Sequence, residues 1–267
     1  MSRIASCFEN LKSRKRSALI PYVTAGDPDP SVTVPLMHAM VDAGADLLEL
    51  GVPFSDPMAD GPIIQAASER ALEHHVSLTD VMAMVAEFRQ KNNDTPVILM
   101  GYLNPIEVMG YEKFASDAAQ AGVDGVLTVD IPPEESHDLV QAMKSNNLDT
   151  IYLIAPTSTE ERIKTICSNA SGFVYYVSVK GVTGAANLQV SSVGEKVAEI
   201  RRFTDLPVGV GFGISDAERA AQVAEVADAV VVGSAIVKRV ASHAGDFEKI
   251  AGSVTELLKS MRIAMDN

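Results

Sequence analysis

The sequence predicts an α/β fold, a closed (β/α)8 TIM barrel that forms a single domain over residues 1–267. Eight short runs of β-branched and aliphatic residues alternate with longer amphipathic segments, the pattern of parallel β/α folds. No glycine-rich or serine-rich linker divides the chain, and its 267 residues are a common length for one barrel. An open doubly wound sheet is disfavoured because the usual glycine-rich turn after the first strand is missing.

The eight predicted strands share short length and apolar composition. They are residues 18–24 (ALIPYVT), 46–50 (DLLEL), 96–102 (PVILMGY), 125–129 (GVLTV), 150–155 (TIYLIA), 173–178 (FVYYVS), 206–212 (LPVGVGF) and 228–233 (DAVVVG). The intervening segments have helical periodicity, and several end in Gly or Asn, which favour helix C-termini. They include SVTVPLMHAMVDAG, SLTDVMAMVAEFRQKN, PIEVMGYEKFASDAAQAG, EESHDLVQAMKSNN and DAERAAQVAEVA.

Two further helices are predicted outside the eightfold alternation. The segment RIASCFENLK precedes the first strand, and we expect it to close the bottom of the barrel, with a surface tail as the alternative. The segment IIQAASERALEHH follows the second strand and is predicted to be an extra helix.

The charge and composition exclude several classes of partner. A formal charge of -13 repels nucleic acid and anionic lipid, so neither is an expected partner. No apolar run approaches the roughly 18 residues that span a bilayer, and the first residues do not resemble a signal peptide. We therefore expect a cytoplasmic protein. Cys7 and Cys167 lie far apart, which favours two reduced thiols.

The histidines are poorly placed for catalysis in the predicted barrel. The active site of such a barrel lies at the C-terminal ends of its strands. All five histidines fall in predicted helices: His38, His74, His75, His137 and His243. This placement disfavours imidazole catalysis and a histidine-bound metal at the barrel mouth, so no metal site is predicted.

Carboxylates are the remaining candidates for acid–base chemistry. Glu49 lies between two leucines in the second predicted strand, where an inward position near the mouth would be desolvated and its pKa raised. Asp56 and Asp60 occupy the following loop, and a Gly-Pro pair after Asp60 restrains the backbone. A strand carboxyl beside a loop carboxyl suits a paired acid and base. The alternative is that Glu49 binds a neighbouring strand and the aspartates only form turns.

A second group of residues suits phosphate binding. Glycine-containing turns follow the last three strands at 180–184 (KGVTG), 211–215 (GFGIS) and 233–238 (GSAIVK). Glycine lets backbone N–H groups approach an anion closely, and Ser234 adds a hydroxyl at the start of a helix. Phosphate sites of these barrels occur at this position, so a small phosphorylated metabolite is expected, with ordinary turns as the alternative.

Bulky side chains are predicted to line the space between these two groups. They are Tyr22, Met100, Tyr102, Leu127, Leu153, Tyr175 and Phe212. Such a pocket would hold a flat apolar group. The alternative for each of these residues is ordinary barrel core.

The motifs together resemble one enzyme family over essentially the entire chain. The segments that carry the resemblance are LELGVPFSDPMADGPIIQAASERAL, PYVTAGDPD, LMGYLNPI, VDIPPEES, GVTGA, GFGIS and GSAIV, in the family's order. The sequence resembles the α subunit of tryptophan synthase. That resemblance implies a lyase that cleaves indole-3-glycerol phosphate to indole and glyceraldehyde 3-phosphate in tryptophan biosynthesis.

The resemblance also implies roles for individual residues. Glu49 would protonate indole C3 and take the proton of the glycerol hydroxyl, Asp60 would bind the indole N–H, and Tyr175 would assist near Glu49. Thr183 would lie in a mobile loop that closes over the substrate. The phosphate would be held by Gly184, Gly213, Gly233 and Ser234. Three pocket residues differ from those expected in many relatives: Tyr22 replaces phenylalanine, Met100 leucine and Leu153 isoleucine.

A partner subunit follows from the same resemblance. Family members work with a β subunit in an α2β2 heterotetramer, so pyridoxal phosphate belongs to that partner and no cofactor is expected in this chain. The implied partner surface includes the loop from Pro53 to Asp56 and the turns near Asn104 to Pro105 and near Pro132.

Other readings of the residues stay open. A Schiff-base aldolase would use Lys180 after the sixth strand, although a glycine-containing loop is poorly suited to depressing a lysine pKa. An isomerase would use Glu49 as a base and would need an electrophile that no histidine is placed to supply. A subunit without catalysis that only activates its partner is the third alternative.

Overall fold

A computed structural model describes residues 2–178, 190–211 and 213–267 of the chain. In these ranges eight parallel strands pair in sequence order and the eighth pairs with the first, which closes the barrel. The strands are β1 (Ala18–Thr24), β2 (Leu48–Gly51), β3 (Val97–Gly101), β4 (Gly125–Thr128), β5 (Asp149–Ile154), β6 (Val174–Val177), β7 (Val208–Gly211) and β8 (Ala229–Val232). The predicted (β/α)8 barrel is confirmed, with strand ends that differ by at most two residues from the predicted ones.

Helices surround the barrel and account for the remaining predicted elements. They are α1 (Arg3–Ser13), α2 (Pro30–Asp42), α3 (Pro62–Glu73), α4 (Leu78–Arg89), α5 (Leu103–Met109), α6 (Tyr111–Ala121), α7 (His137–Ser145), α8 (Glu160–Asn169), α9 (Val190–Ile200), α10 (Ala217–Ala224), α11 (Ser234–Ser242) and α12 (Phe247–Asp266). The short 3-10 helix Pro133–Glu135 precedes α7. The extra helices before β1 and after β2 are both confirmed.

One predicted helical segment is divided in two. The sequence pattern indicated a continuous helix after β3, whereas α5 and α6 meet at Gly110. Gly110 has φ of 87°, a left-handed value that glycine adopts without strain and that a continuing helix excludes. Periodicity missed this break because the apolar spacing continues across it.

The N-terminal helix α1 closes the bottom of the barrel. Its apolar face, formed by Ile4, Phe8 and Leu11, is buried. The Phe8 ring lies 5.7 Å from that of Phe173, the residue just before β6. These side chains belong to an inner cluster that fills the barrel: Ile4, Phe8, Leu11, Ala18, Ile20, Leu47, Ile98, Leu127, Ile151, Phe173, Tyr175, Ala229 and Val231. The surface-tail alternative for the N-terminal segment is therefore wrong.

Aspartates fasten the bottom of the barrel in a repeated arrangement. Each lies just before a strand, and its carboxylate accepts a hydrogen bond at 2.8 Å from a backbone N–H of a neighbouring strand. The pairs are Asp46 with Leu19, Asp124 with Val97, and Asp228 with Val208. Each carboxylate also meets an arginine, and Asp124 meets two, Arg89 at 2.7 Å and Arg3 at 2.9 Å. The N-terminal ends of the strands are thus held by charge-assisted contacts.

The helices of the described ranges include none that is both long and apolar enough to cross a membrane.

Removing the Asp124 carboxylate should destabilise the fold strongly. Asp124 is 5% exposed and the Arg89 side chain 9% exposed, so Asp124→Ala leaves a buried guanidinium that keeps backbone carbonyl acceptors but has lost its carboxylate partner. We expect a loss of about 3–5 kcal/mol in the free energy of unfolding, measured with urea. Asp117→Ala is the matched control, since Asp117 pairs with Lys113 on the surface. The control should cost under about 1 kcal/mol, and equal losses in the two variants would contradict the role given to Asp124.

Candidate active site

The Glu49 carboxyl lies inside the barrel wall at the mouth. Glu49 is on β2, in register with Tyr22 on β1 and Ile98 on β3, and it is 1% exposed. Its Oε1 atom is buried and has no hydrogen-bond partner in the described residues. Burial, and secondarily the charge of Asp60, raises the pKa of Glu49 to about 8. At neutral pH the carboxyl therefore retains its proton and is poised to give it up.

Asp60 faces the same space from the loop between β2 and α3. The Tyr102 hydroxyl donates a hydrogen bond to Asp60 Oδ2 at 2.9 Å and accepts one from the Ala59 N–H at 3.0 Å. Phe54 stacks on the Tyr102 ring with 5.0 Å between centroids. The Gln65 amide donates to the Asp60 carbonyl oxygen at 2.9 Å. These contacts fix the loop and hold the carboxyl in place.

Two features of its environment change the pKa of Asp60 in opposite directions. Burial raises the pKa of Asp60, while the hydrogen bond from Tyr102 lowers it. Asp60 therefore keeps more ionised character than Glu49, whose Oε1 has no hydrogen-bond partner in the described residues. Two neighbouring carboxyls in unlike environments are the arrangement that divides acid and base roles.

Two buried tyrosines lie beside Glu49. Burial raises the pKa of both Tyr175 and Tyr22 far above the ordinary range, and the Glu49 charge contributes at each. Both phenols therefore stay protonated. Each lies against a glycine at a strand end: a Cβ added at Gly51 would meet the Tyr22 hydroxyl at 2.1 Å, and one at Gly211 would meet the Tyr175 hydroxyl at 2.0 Å. Only glycine leaves room for either phenol.

The remaining pocket residues occupy different depths. Met100 and Leu153 are half-buried at the upper edge of the inner cluster. Leu127 is completely buried within it, and the next inward residue of that strand, Val129, lies nearer the mouth. The predictions from the sequence missed Thr24, Val129 and Val177. They also missed that Gly51 and Gly211 leave room for the phenols, although Gly211 was predicted to belong to the turn at 211–215. A period of two from Tyr22 points to Thr24, and from Leu127 to Val129.

Two of the turns predicted to bind phosphate lie within the described residues. Gly213 has φ of 78°, a left-handed value, and its carbonyl oxygen accepts a hydrogen bond from Arg219 at 3.2 Å. Gly233 is the N-cap residue of α11, and the exposed Ser234 is the first residue of that helix. Thr183, Gly184 and Phe212 lie outside the described residues, as does Lys180, on which the Schiff-base alternative rests.

The histidines lie on or next to the surrounding helices. His38 is within α2 and His137 begins α7, while His74 and His243 cap the ends of α3 and α11 and His75 follows His74. Within the described ranges, no group of three or more His, Cys, Asp and Glu side chains is arranged to hold a metal ion.

The fold and this site define a class: TIM-barrel proteins with two neighbouring carboxyls at the barrel mouth, an arrangement that suits acid–base catalysis. A family model for the tryptophan synthase alpha chain matches residues 8–266. The chain belongs to the tryptophan synthase alpha chain family. It is thereby an indole-3-glycerol-phosphate lyase of tryptophan biosynthesis. The alpha chain needs no cofactor, and pyridoxal phosphate resides in the beta subunit.

Similar proteins match over their full length. The tryptophan synthase alpha chain of Thioalkalivibrio sulfidiphilus is 68% identical over 266 residues, covering 100% of both chains, and that of Nitrosococcus oceani is 62% identical, covering 100% of this chain and 98% of its own. A crystal structure of tryptophan synthase subunit alpha from Legionella pneumophila has a TM-score of 0.92 at 45% identity, covering 100% of this chain and 99% of that one. A tryptophan synthase structure from Mycobacterium tuberculosis has a TM-score of 0.89 at 35% identity, with 100% and 99% coverage.

Burial of Glu49 predicts a measurable pH dependence of stability. Below about pH 4.5 the carboxyl is neutral in both the folded and unfolded chain, whereas between that value and about pH 8 only the unfolded chain releases the proton. Glu49 therefore makes the fold less stable as pH rises through this window, by up to about 1.4 kcal/mol per pH unit. Glu49→Gln should gain stability relative to the unmodified chain between pH 5 and pH 8, measured as urea midpoints.

The exposed Glu256 on α12 provides the matched control. The difference between Glu256→Gln and the unmodified chain should stay constant over the same pH range. A constant difference for Glu49→Gln as well would show that the folded pKa is not raised.

Proposed function

We propose that this chain cleaves indole-3-glycerol phosphate at the barrel mouth, with Glu49 as the proton donor and acceptor and Asp60 as the partner of the indole ring. The observation that carries the proposal is the completely buried Glu49 carboxyl beside a second carboxyl. Burial raises the pKa of Glu49 to about 8, and its Oε1 atom has no hydrogen-bond partner among the residues that the structure describes. Retro-aldol cleavage needs a group that first delivers a proton and then removes one, and a carboxyl with a pKa near the working pH does both.

The reaction divides into two proton transfers around one bond cleavage. Glu49 gives its proton to indole C3, which converts the ring to an indolenine whose C=N group accepts electrons. The carbon–carbon bond then breaks, its electron pair restores the indole, and the chain hydroxyl becomes the aldehyde as its proton returns to Glu49. Asp60, in its ionised form, accepts a hydrogen bond from the indole N–H and stabilises the positive charge that develops there.

Tyr175 assists as a protonated phenol beside Glu49. Its hydroxyl is kept from ionising by burial and by the nearby charge. A neutral donor at this position stabilises the Glu49 carboxylate after it has given up its proton. The indole ring lies among Tyr22, Met100, Tyr102, Leu127, Leu153, Tyr175 and Phe212.

The phosphate binds across the barrel from the carboxyls. Gly213, Gly233 and Ser234 provide backbone N–H groups and a hydroxyl at the start of α11, where the helix dipole favours an anion. We also assign contacts with the substrate to Thr183 and Gly184, which lie outside the described residues.

We also propose a β subunit as the partner in an α2β2 complex in the cytoplasm, with the whole chain acting as one domain. Support comes from the loop that carries Asp60: its Met58 is 84% exposed, and an open depression of about 340 Å³ lies against it. Val108 on α5, next to the expected contact at Asn104 and Pro105, is 81% exposed. We assign both side chains to the partner surface, where binding would remove them from water.

Glu49→Gln should abolish indole release while substrate binding persists. Glutamine keeps the size of the side chain but has no ionisable proton, so we expect a loss of at least about a thousandfold in kcat. Indole release would be measured from indole-3-glycerol phosphate with and without a β subunit, and binding by calorimetry with the variant. Glu256→Gln should keep the full rate. Substantial indole release by Glu49→Gln would mean that a group other than Glu49 transfers the protons.

Tyr102→Phe should move the acid limb of the pH–rate profile to higher pH. The Tyr102 hydrogen bond lowers the pKa of Asp60, so its removal raises that pKa and the ionised form is reached only at higher pH. The ring stacking on Phe54 is retained by phenylalanine, which limits structural change. The measurement is kcat/KM for indole release between pH 5 and pH 9. An unmoved acid limb would mean that ionised Asp60 is not required.

A further inference from the structure

A pair of hydroxyls on β1 lies at the mouth next to the carboxyls. The Tyr22 and Thr24 hydroxyls are 3.2 Å apart, and either can be the donor. Both residues occupy inward positions of β1, two residues apart, with exposures of 6% and 2%. Neither hydroxyl has another hydrogen-bond partner among the side chains of residues 2–178, 190–211 and 213–267.

The Tyr22 ring spans the distance between the two ends of the site. A Cβ on Gly233, at the start of α11, would lie 3.8 Å from Tyr22 Cβ and Cδ1. A Cβ on Gly51, at the end of the strand that carries Glu49, would meet the Tyr22 hydroxyl. The Tyr22 ring therefore lies between the phosphate-binding turn at Gly233 and the carboxyls. A ligand that joins those two ends passes along this ring.

The pair contains two hydroxyl protons, and their mutual hydrogen bond uses only one. When Thr24 donates to Tyr22, the phenol proton is free to reach a third group. Burial, and secondarily the charges of Asp60 and Glu49, raise the pKa of Tyr22, so the phenol remains a donor throughout the working pH range. The phenol is thus available to a ligand that brings an acceptor oxygen.

We propose that the Tyr22 hydroxyl, oriented by Thr24, hydrogen-bonds the hydroxyl-bearing three-carbon chain that links the indole ring to the phosphate, and so selects and positions substrates that carry this chain. The inference rests on the proposed function. Glu49 and Asp60 are occupied by the reacting groups, and the phosphate-binding turns by the anion. Of the two hydroxyls on the chain between them, Glu49 takes the proton of the one that becomes the aldehyde. The other hydroxyl is the part of the substrate that these residues leave without a protein partner.

Tyr22→Phe tests the proposal with the ring retained. Two ligands are compared: indole-3-glycerol phosphate, and 3-(indol-3-yl)propyl phosphate, which has the same length but no chain hydroxyl. We expect kcat/KM for indole release to fall about fivefold to tenfold, with the Kd of the propyl phosphate changed less than about twofold. Thr24→Val, which removes only the orienting hydroxyl, should give a smaller loss with the same ligand dependence.

The other outcomes separate the possible failures. Equal losses for both ligands in Tyr22→Phe would mean a structural role and would overturn the inference, as would the absence of any loss. A shifted pH–rate profile with unchanged discrimination between the ligands would mean that Tyr22 acts through Glu49 or Asp60, which also overturns it. No indole release by the unmodified chain with a β subunit would overturn the proposed function and this inference together, whereas release that Tyr22→Phe leaves intact overturns the inference alone.

Discussion

The arrangement of the barrel mouth depends on the desolvation of one carboxyl, that of Glu49. A carboxyl on an inward strand position at 1% exposure is costly as an anion, so it keeps its proton to about pH 8. The neighbours of Glu49 keep its carboxyl protonated. They are neutral phenols, glycines without side chains, and a second carboxyl whose charge further disfavours ionisation of Glu49. The resulting acid is matched to proton transfer near neutrality.

The contacts that hold the strands together and the candidate catalytic residues lie at opposite ends of the barrel. At the bottom, α1 fills the open end and aspartates with arginine partners hold the first residues of the strands. At the top, the loop that carries Asp60 depends on a few directed contacts from Tyr102, Phe54 and Gln65. Such a division lets the mouth carry strained or charged groups because the free energy that holds the fold comes mainly from the other end and the core.

The positions of the two phenols at the mouth depend on glycines in the neighbouring strands. Tyr22 and Tyr175 fit only because Gly51 and Gly211 have no side chain at inward positions. The glycines at strand ends therefore do more than form turns or approach a phosphate. They provide the volume that two rigid rings require beside Glu49, and the sequence signal for this is a tyrosine and a glycine on adjacent strands.

Local patterns in the sequence determined the fold class and the strand positions within two residues, because strand burial and the period of two depend on neighbouring residues alone. The same patterns pointed to Glu49 and Asp60, since barrel chemistry lies where strands end. Only the tertiary structure decided that Oε1 of Glu49 has no hydrogen-bond partner within the described part of the chain, that Tyr102 supports Asp60, and that Gly51 and Gly211 make room for phenols. These facts depend on contacts across strands and loops far apart in the chain, and on desolvation by the assembled barrel, which no local pattern of residues contains.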